Sequence, residues 1–381
     1  MLAERSHPSL QLSAERIAGA TAGIRTAGAY ANPQLSAGAF GYQRAIQPGT
    51  LSGMLHTFTL SQDLPLPSVR QARITAAELG RESTQYALSE NLLNVRGLVK
   101  QAFFEVIRRR NEIRLASENL QLLVDLYRRI RVQYDVGEAP RLELTRAETE
   151  VSVASVQAQS AERRYSAAMA DLHAAIGVPV IDTEPTGSLY PTQSLPSLPD
   201  LVAEVLARHP GLAVAATETR RADALVNLEK KLKIPTPNAW VNVIQQPDVA
   251  QYWYGITIPI PIFNKREGQI AEAEAARRQA ASFADYRKLQ LTAAVERAYG
   301  DYRVAQSQVE MFEGGIIRQA EAAVQAAQAA FQFGERGIIE VLDAQRILRG
   351  TRLDYMNAQY DRQQALISLE QLGALDLAGA N

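Results

Sequence analysis

The chain has 381 residues, 40 basic against 41 acidic, a net charge of −1 and no cysteine. That balance favours neither nucleic acid nor a polyanionic partner, and no basic block is interleaved with aromatics. Disulfides, thiolate metal sites, a cysteine nucleophile and a lipidated N-terminal Cys are excluded for this chain.

The start, Met1-Leu-Ala-Glu-Arg-Ser-His7-Pro8-Ser-Leu10, lacks the basic region, apolar core and small-residue cleavage site of an export signal. It resembles Val202-Ala-Glu-Val-Leu-Ala-Arg-His209-Pro210-Gly-Leu212 in mid-chain, so the expectation is that sequence is missing upstream or that the form is processed. No apolar run reaches the roughly 18 residues of a membrane-spanning helix.

Residues 8–30 read as a helix, ended by Gly28 and Asn32-Pro33. Residues 34–42 read as a strand; Pro48, Gly49 and Gly53 mark a loop; 54–62 read as a second strand with Phe58 and Leu60 opposite Thr57, Thr59 and Ser61. Leu64-Pro65-Leu66-Pro67 breaks it, and a helix is predicted from 68 to 135, roughly 100 Å at 1.5 Å per residue. Its later part carries a three-and-four seam: Ile113, Ala116, Leu120, Leu123, Tyr127, Ile130 and Tyr134. Gly137-Glu138-Ala139-Pro140 stops the pattern, because Gly ends helices and Pro cannot continue one. The seam resumes through Leu144, Ala147, Val151, Ala154, Ala158, Ala161, Tyr165, Ala168, Leu172 and Ala175, so two long helices meet at a tight tip.

Residues 178–199 hold five prolines and read as an extended connector. The order then repeats: a helix from Leu212 to Lys231, a strand at 239–245, a turn at Gln246-Pro247-Asp248 and a strand at 252–260. A second very long helix is predicted from Lys265 to Phe333, bent at Gly314-Gly315. At a shift of 197, Gly334, Glu335, Glu340 and Ala344 repeat Gly137, Glu138, Glu143 and Ala147. The second return seam, from Val341 to Leu372, is interrupted by Thr351 and Arg362. Self-match near half the chain means a duplicated unit, with a first repeat at 1–177 and a second at 200–381.

The predicted fold class is mainly α with a small β part. Four strands cannot close a barrel, whereas three copies supply twelve, an even number suited to a membrane barrel. Three copies also bring twelve long helical segments together, enough for a hollow α-barrel.

In this order the chain resembles the TolC family of outer-membrane efflux channels over essentially its whole length. The carrying features are the doubled His-Pro-x-Leu starts, Leu60-Ser61-Gln62 with Leu64-Pro65-Leu66, and Ile256-Thr-Ile-Pro-Ile260-Pro-Ile262-Phe263. Tyr134-x-x-Gly137, Phe331-x-x-Gly334 and Val341-Leu342-Asp343-Ala344-Gln345 add to them. Ile24-Arg-Thr-Ala-Gly-Ala-Tyr30-Ala-Asn-Pro33 is similar to the CzcC-like heavy-metal branch. The resemblance implies a homotrimer with a β-barrel in the outer membrane and an α-barrel across the periplasm. It also implies substrate, divalent metal cations in the heavy-metal branch, passed from an inner-membrane pump through a periplasmic adaptor docked on the tips Gly137, Glu138, Gly334 and Glu335. Positions matching Glu143, Phe331 and Arg336 hold the aperture shut in that family. The expectation here is a Glu143–Arg336 pair across neighbouring hairpins, with Glu340 and Asp343 forming an acidic ring inside.

Trp240, Tyr252, Trp253 and Tyr254 flank a short turn and are expected to form an interfacial girdle against outer-membrane lipid. His7 and His209 sit beside prolines at helix ends, and His56 and His173 have no partner at ligand spacing, so a structural role is expected for all four. No acid–base or nucleophilic constellation suggests an enzyme, and no cofactor or metal ligand set is found. The alternative reading, a soluble coiled-coil scaffold, leaves the four strands and their aromatics without a purpose.

Overall fold

A computed structural model describes residues 2–49, 51–177, 185–187 and 195–373. Its described elements are α1 (Leu2–Ser6), α2 (Pro8–Gly28), β1 (Gln34–Gln43), β2 (Gly53–Asp63), α3 (Pro67–Asp135) and α4 (Arg141–Ile176). They continue with α5 (Leu198–Arg208), α6 (Pro210–Lys231), β3 (Asn238–Gln245), β4 (Ala250–Thr257), α7 (Glu267–Met311), α8 (Ile317–Gln332) and α9 (Ile338–Gln371). Two compact bodies result: Met1–Leu12 with Ser89–His209 and Lys288–Asn381, and Ser13–Leu88 with Pro210–Arg287. Each predicted repeat contributes segments to both.

The second body holds the sheet, a four-stranded antiparallel arrangement in the order β1-β2-β3-β4. Two long-range ties secure helix ends beside it: Arg70 Nε donates to the Gly28 carbonyl at 2.6 Å, and Arg266 pairs with Glu229 at 2.6 Å. The two arginines occupy matching places in the repeat. Both hold the first turn after a Pro-punctuated segment to the end of the preceding helix.

The first body is built from two helical hairpins, α3 with α4 and α8 with α9. In α4 the fully buried positions include Ala147, Ala154, Ala161, Ala168 and Ala175, one every seventh residue. A side chain of one carbon lets the neighbouring helix approach closely, while the intervening Leu144, Val151, Ala158 and Tyr165 are half-buried. Near the tips Leu123, Leu126 and Ile130 of α3, Ala147 and Ala154 of α4, and Ile338, Val341 and Leu342 of α9 form one cluster. Burying an Ile or Leu there stabilises the fold by about 1.5–3 kcal/mol each.

Four expectations need correction. The helix predicted over 8–30 ends at Gly28. The last strand ends at Thr257 rather than 260, since Pro259 and Pro261 have no N–H to give a ladder. The bend expected at Gly314-Gly315 is present, by contrast: Phe312–Ile316 forms a π-helical turn with Gly315 at φ 157°, ψ −18°. Of the predicted connector, 178–184 and 188–194 lie outside the described residues, and α5 begins at Leu198. Arg362, read as an interruption of the last seam, is buried within α9, where its Nη1 donates to Gln306 Oε1 at 3.0 Å.

Candidate functional site: the faces of the sheet and the hairpin tips

In an antiparallel pair, residues directly opposite point to the same side of the sheet. The registers therefore sort every strand residue onto one of two faces. Leu35 lies opposite Leu60, Leu60 opposite Val241 and Val241 opposite Tyr254. The adjoining row is Ala37, Phe58, Val243 and Tyr252. On the other side run Ser36, Thr59, Asn242 and Trp253, then Gln34, Ser61, Trp240 and Gly255. One face is apolar and exposed; the other is mainly polar. A bulge between Gly38 and Gly41 sets three residues of β1 against two of β2, so parity reverses and Tyr42 joins Met54 on the apolar side.

The expected girdle is thereby divided. Tyr252 and Tyr254 stand on the apolar face, while Trp240 and Trp253 stand on the opposite one. Trp240 lies over Gly255, where an added Cβ would sit 2.7 Å from its ring, and its Nε1 donates to Thr257 Oγ1 at 3.0 Å. Trp253 Nε1 donates to Gln251 Oε1 at 3.4 Å. Tyr42 takes a place that sequence reading did not give it, because only the bulge reveals its face.

The two tips are the same object built twice. Gly137 and Gly334 adopt positive φ, +82° and +74°, which Gly accepts without the Cβ penalty of other residues. Glu138 N–H donates to the Gln133 carbonyl at 2.8 Å, and Glu335 N–H to the Ala330 carbonyl at 2.9 Å, the same six-to-one closure at a shift of 197. Gly137 and Gly334 likewise return N–H bonds to Tyr134 and Phe331. Both glutamates are exposed, as are the two glycines.

Beyond each tip a carboxylate occupies the first helical turn: Glu143 on α4 and Glu340 on α9. Neither helix has a side-chain cap, so each acid also complements the positive end of its own helix. The two converge on Gly337, where an added Cβ would lie 3.8 Å from Glu143 Oε1 and 3.7 Å from Glu340 Oε2. Within the single chain Arg336 turns to an acid near its own end of α9. Its Nη1 lies 3.8 Å from Glu340 Oε1, one turn along the same helix start. Asp343 is 4.0 Å from Arg346, which also binds Glu150 of α4 at 2.8 Å. Both members of the expected acidic ring thus have a cation within the chain. Phe331 is packed against the apolar cluster beneath the tips. Ile338, fully buried beside it, was missed because its counterpart in the first copy is Arg141.

Between the hairpins' apolar layers lies an ionic layer. Glu105 accepts from Arg108 at 2.8 Å and Arg109 at 2.8 Å, and Glu112 joins Arg109 to Arg164 of α4, each at 2.7 Å. Burial alone would raise the Glu105 pKa, but hydrogen bonds from Arg108 and Tyr360 outweigh it and hold the carboxyl below its usual range. Asp361 goes the other way, pushed up by burial with Arg108 opposing. Arg108 also stacks over the Tyr360 ring at 4.5 Å.

The model of the outer membrane efflux protein family matches residues 2–178 and 201–374. The cobalt-zinc-cadmium resistance protein CzcC of Cupriavidus metallidurans is 24% identical over 382 residues, covering 97% of this chain and 88% of that one. Among solved structures, CusC superposes with a TM-score of 0.81 at 19% identity, over 97% of this chain and 90% of its own. The CmeC outer membrane channel of Campylobacter jejuni gives 0.81 at 13% identity, over 98% and 84%. A two-faced sheet, paired long-helix hairpins and these likenesses define an outer-membrane channel of the efflux type, reaching into the periplasm. The chain belongs to the outer membrane efflux protein family.

Proposed function

We propose that three copies of this chain close a twelve-stranded barrel in the outer membrane, with the apolar face of the sheet toward lipid and the polar face lining the bore. The observation that carries this reading is the registered segregation of the two faces across all four strands, with β1 and β4 each left with one unpaired edge. An open edge is a template for another strand, and a closed ring removes it. Two tandem repeats, 1–177 and 200–381 joined by 178–199, supply each copy's share of an α-barrel. Tyr42, Tyr252 and Tyr254 then contact lipid, and Trp240 and Trp253 face the bore.

The tips at Gly137, Glu138, Gly334 and Glu335 meet a periplasmic adaptor, which couples the channel to an inner-membrane pump. Arg336, Glu340, Glu143 and Asp343 set the charge at the aperture, and Phe331 braces it from behind. Divalent metal cations are the favoured substrate, by analogy with CzcC, a cobalt-zinc-cadmium resistance protein. The chain moves them without covalent chemistry.

Mass measurement of the protein extracted in detergent tests the assembly: a trimer is expected, and a monomer or dimer refutes it. Metal tolerance of cells carrying the chain together with an adaptor and a heavy-metal pump tests the substrate. Unchanged tolerance to cobalt, zinc and cadmium would direct the search to organic substrates.

A further inference from the structure

Gln345 is the residue that the channel reading leaves unused. It belongs to the Val341–Gln345 motif singled out in the sequence. In the structure it is only 6% exposed, and both its amide atoms, Nε2 and Oε1, are buried without a hydrogen-bond partner. Buried side-chain amides with neither group satisfied are rare in native proteins and call for a specific occupant.

The occupant has a place. Gln345 lines a half-open pocket of about 70 Å³ between α3, α8 and α9. One water needs roughly 10–15 Å³ of such volume together with two to four polar partners. Glu118 and Asn119 of α3, and Arg349 and Arg352 of α9, supply the remaining polar wall. An adjoining groove of about 250 Å³, which shares Leu115 and Arg349 with this pocket, offers a route along which water can exchange.

The repeat shows that this feature is not a by-product of the hairpin design. At a shift of 197, Gln345 corresponds to Glu148, which is exposed on α4. The π-helical turn Phe312–Ile316 is likewise confined to the second copy, since the matching residues 115–119 are regular helix within α3. Two independent departures from internal symmetry fall on the same hairpin.

We infer that Gln345 holds a small cluster of ordered water molecules, forming a hydrated joint at which the α8–α9 hairpin parts from α3. On the tip side the seam is the apolar cluster of Leu123, Leu126, Val341 and Leu342, and separating it exposes hydrocarbon. At the joint, separation only exchanges one set of water contacts for another. The hydration site stands on the pocket and the amide alone. Its role in parting the hairpin rests on the channel reading.

The two parts are tested separately. A density map of the purified full chain near 2 Å is expected to show at least two waters within hydrogen-bonding distance of the Gln345 amide. An empty pocket, or a side chain of a neighbouring subunit on that amide, overturns the site. Single-channel recording then compares the parent with Gln345→Met, which fills the space with apolar atoms, and Gln345→Asn, which keeps the amide. Opening at least fivefold rarer in the Met variant, with the Asn variant near the parent, is the expected result. Equal opening in the Met variant and the parent overturns the joint. A parent that forms no conducting channel refutes the channel reading, while the map still decides the hydration site.

Discussion

Ile338 makes the sharpest test of how the tips are held. It is the first residue of α9, 0% exposed, and it packs in the cluster that joins α9 to Ile130 of α3 and Ala147 of α4. Ile338→Ala removes three carbons, worth about 2.4 kcal/mol at roughly 0.8 kcal/mol per buried CH₂. Incomplete collapse around a residual cavity of about 50 Å³ adds about 1.2 kcal/mol. The tip should therefore open more easily by about 3–4 kcal/mol, a factor of a few hundred at 1.4 kcal/mol per tenfold. Amide hydrogen exchange of the first two turns of α9 measures this local opening directly, without assuming two-state unfolding of a chain with two compact bodies. Ile339→Ala is the control: that side chain is 53% exposed, and its loss should stay within about 0.5 kcal/mol. Exchange in Ile338→Ala within twofold of the parent, or equal acceleration in both variants, would refute the assignment of the tip core.

Three further outcomes are expected. Tyr254→Lys should cut insertion into outer membranes, at roughly 2–4 kcal/mol for a cation on the lipid side, whereas Trp253→Lys should insert like the parent; equal loss means the faces are misassigned. A double-mutant cycle on tip closure should give Arg336 and Glu340 a coupling of about 0.3–0.5 kcal/mol, as for exposed helix pairs four apart, and Arg336 with Glu143 none; a larger Glu143 coupling restores the latch across hairpins. Burial raises the Asp361 pKa, so the side chain favours folding as the neutral acid below the ordinary 3.8 and loses that advantage as pH rises through its folded value. Asp361→Asn should thus raise the melting temperature at pH 7 and not at pH 3, and an unchanged melting temperature at pH 7 counts against a partly desolvated carboxylate.

Much of this structure was legible because its signals are local. The alanines of α4 recur every seventh residue, the tips carry Gly at the one position that needs positive φ, and the strands alternate between prolines and glycines. Pairing information is not local. Whether Trp253 and Tyr254 share a side follows from adjacency alone, but whether either shares a side with Leu35 or Tyr42 depends on three registers and on the bulge between Gly38 and Gly41. The sequence grouped four aromatics by their distance from a turn; the ladder divides them by parity. Likewise Arg336 has an acid at four residues, Glu340, and another across the tips, Glu143. Spacing along a helix favours the first, and the family resemblance had favoured the second.

The duplication itself misleads in one respect, and the reason is physical. A repeat makes positions correspond; it does not make their neighbours correspond. α4 is buried along a single stripe of alanines, while α9 buries residues on several sides, including Gln345, Gln359, Arg362 and Gln363. A helix packed from several directions must accommodate side chains suited to water, either by pairing them, as Arg362 pairs with Gln306, or by leaving room for water beside them, as at Gln345. Arg362, which interrupts the second seam, therefore marks the more deeply embedded hairpin. If that hairpin moves, the cost of moving it is set at these polar positions, since the apolar layers around Ile338 and Ile367 have no alternative partner in water. Rigid apolar layers separated by polar ones give a helix discrete places to part from its neighbours, which a uniform apolar seam would not.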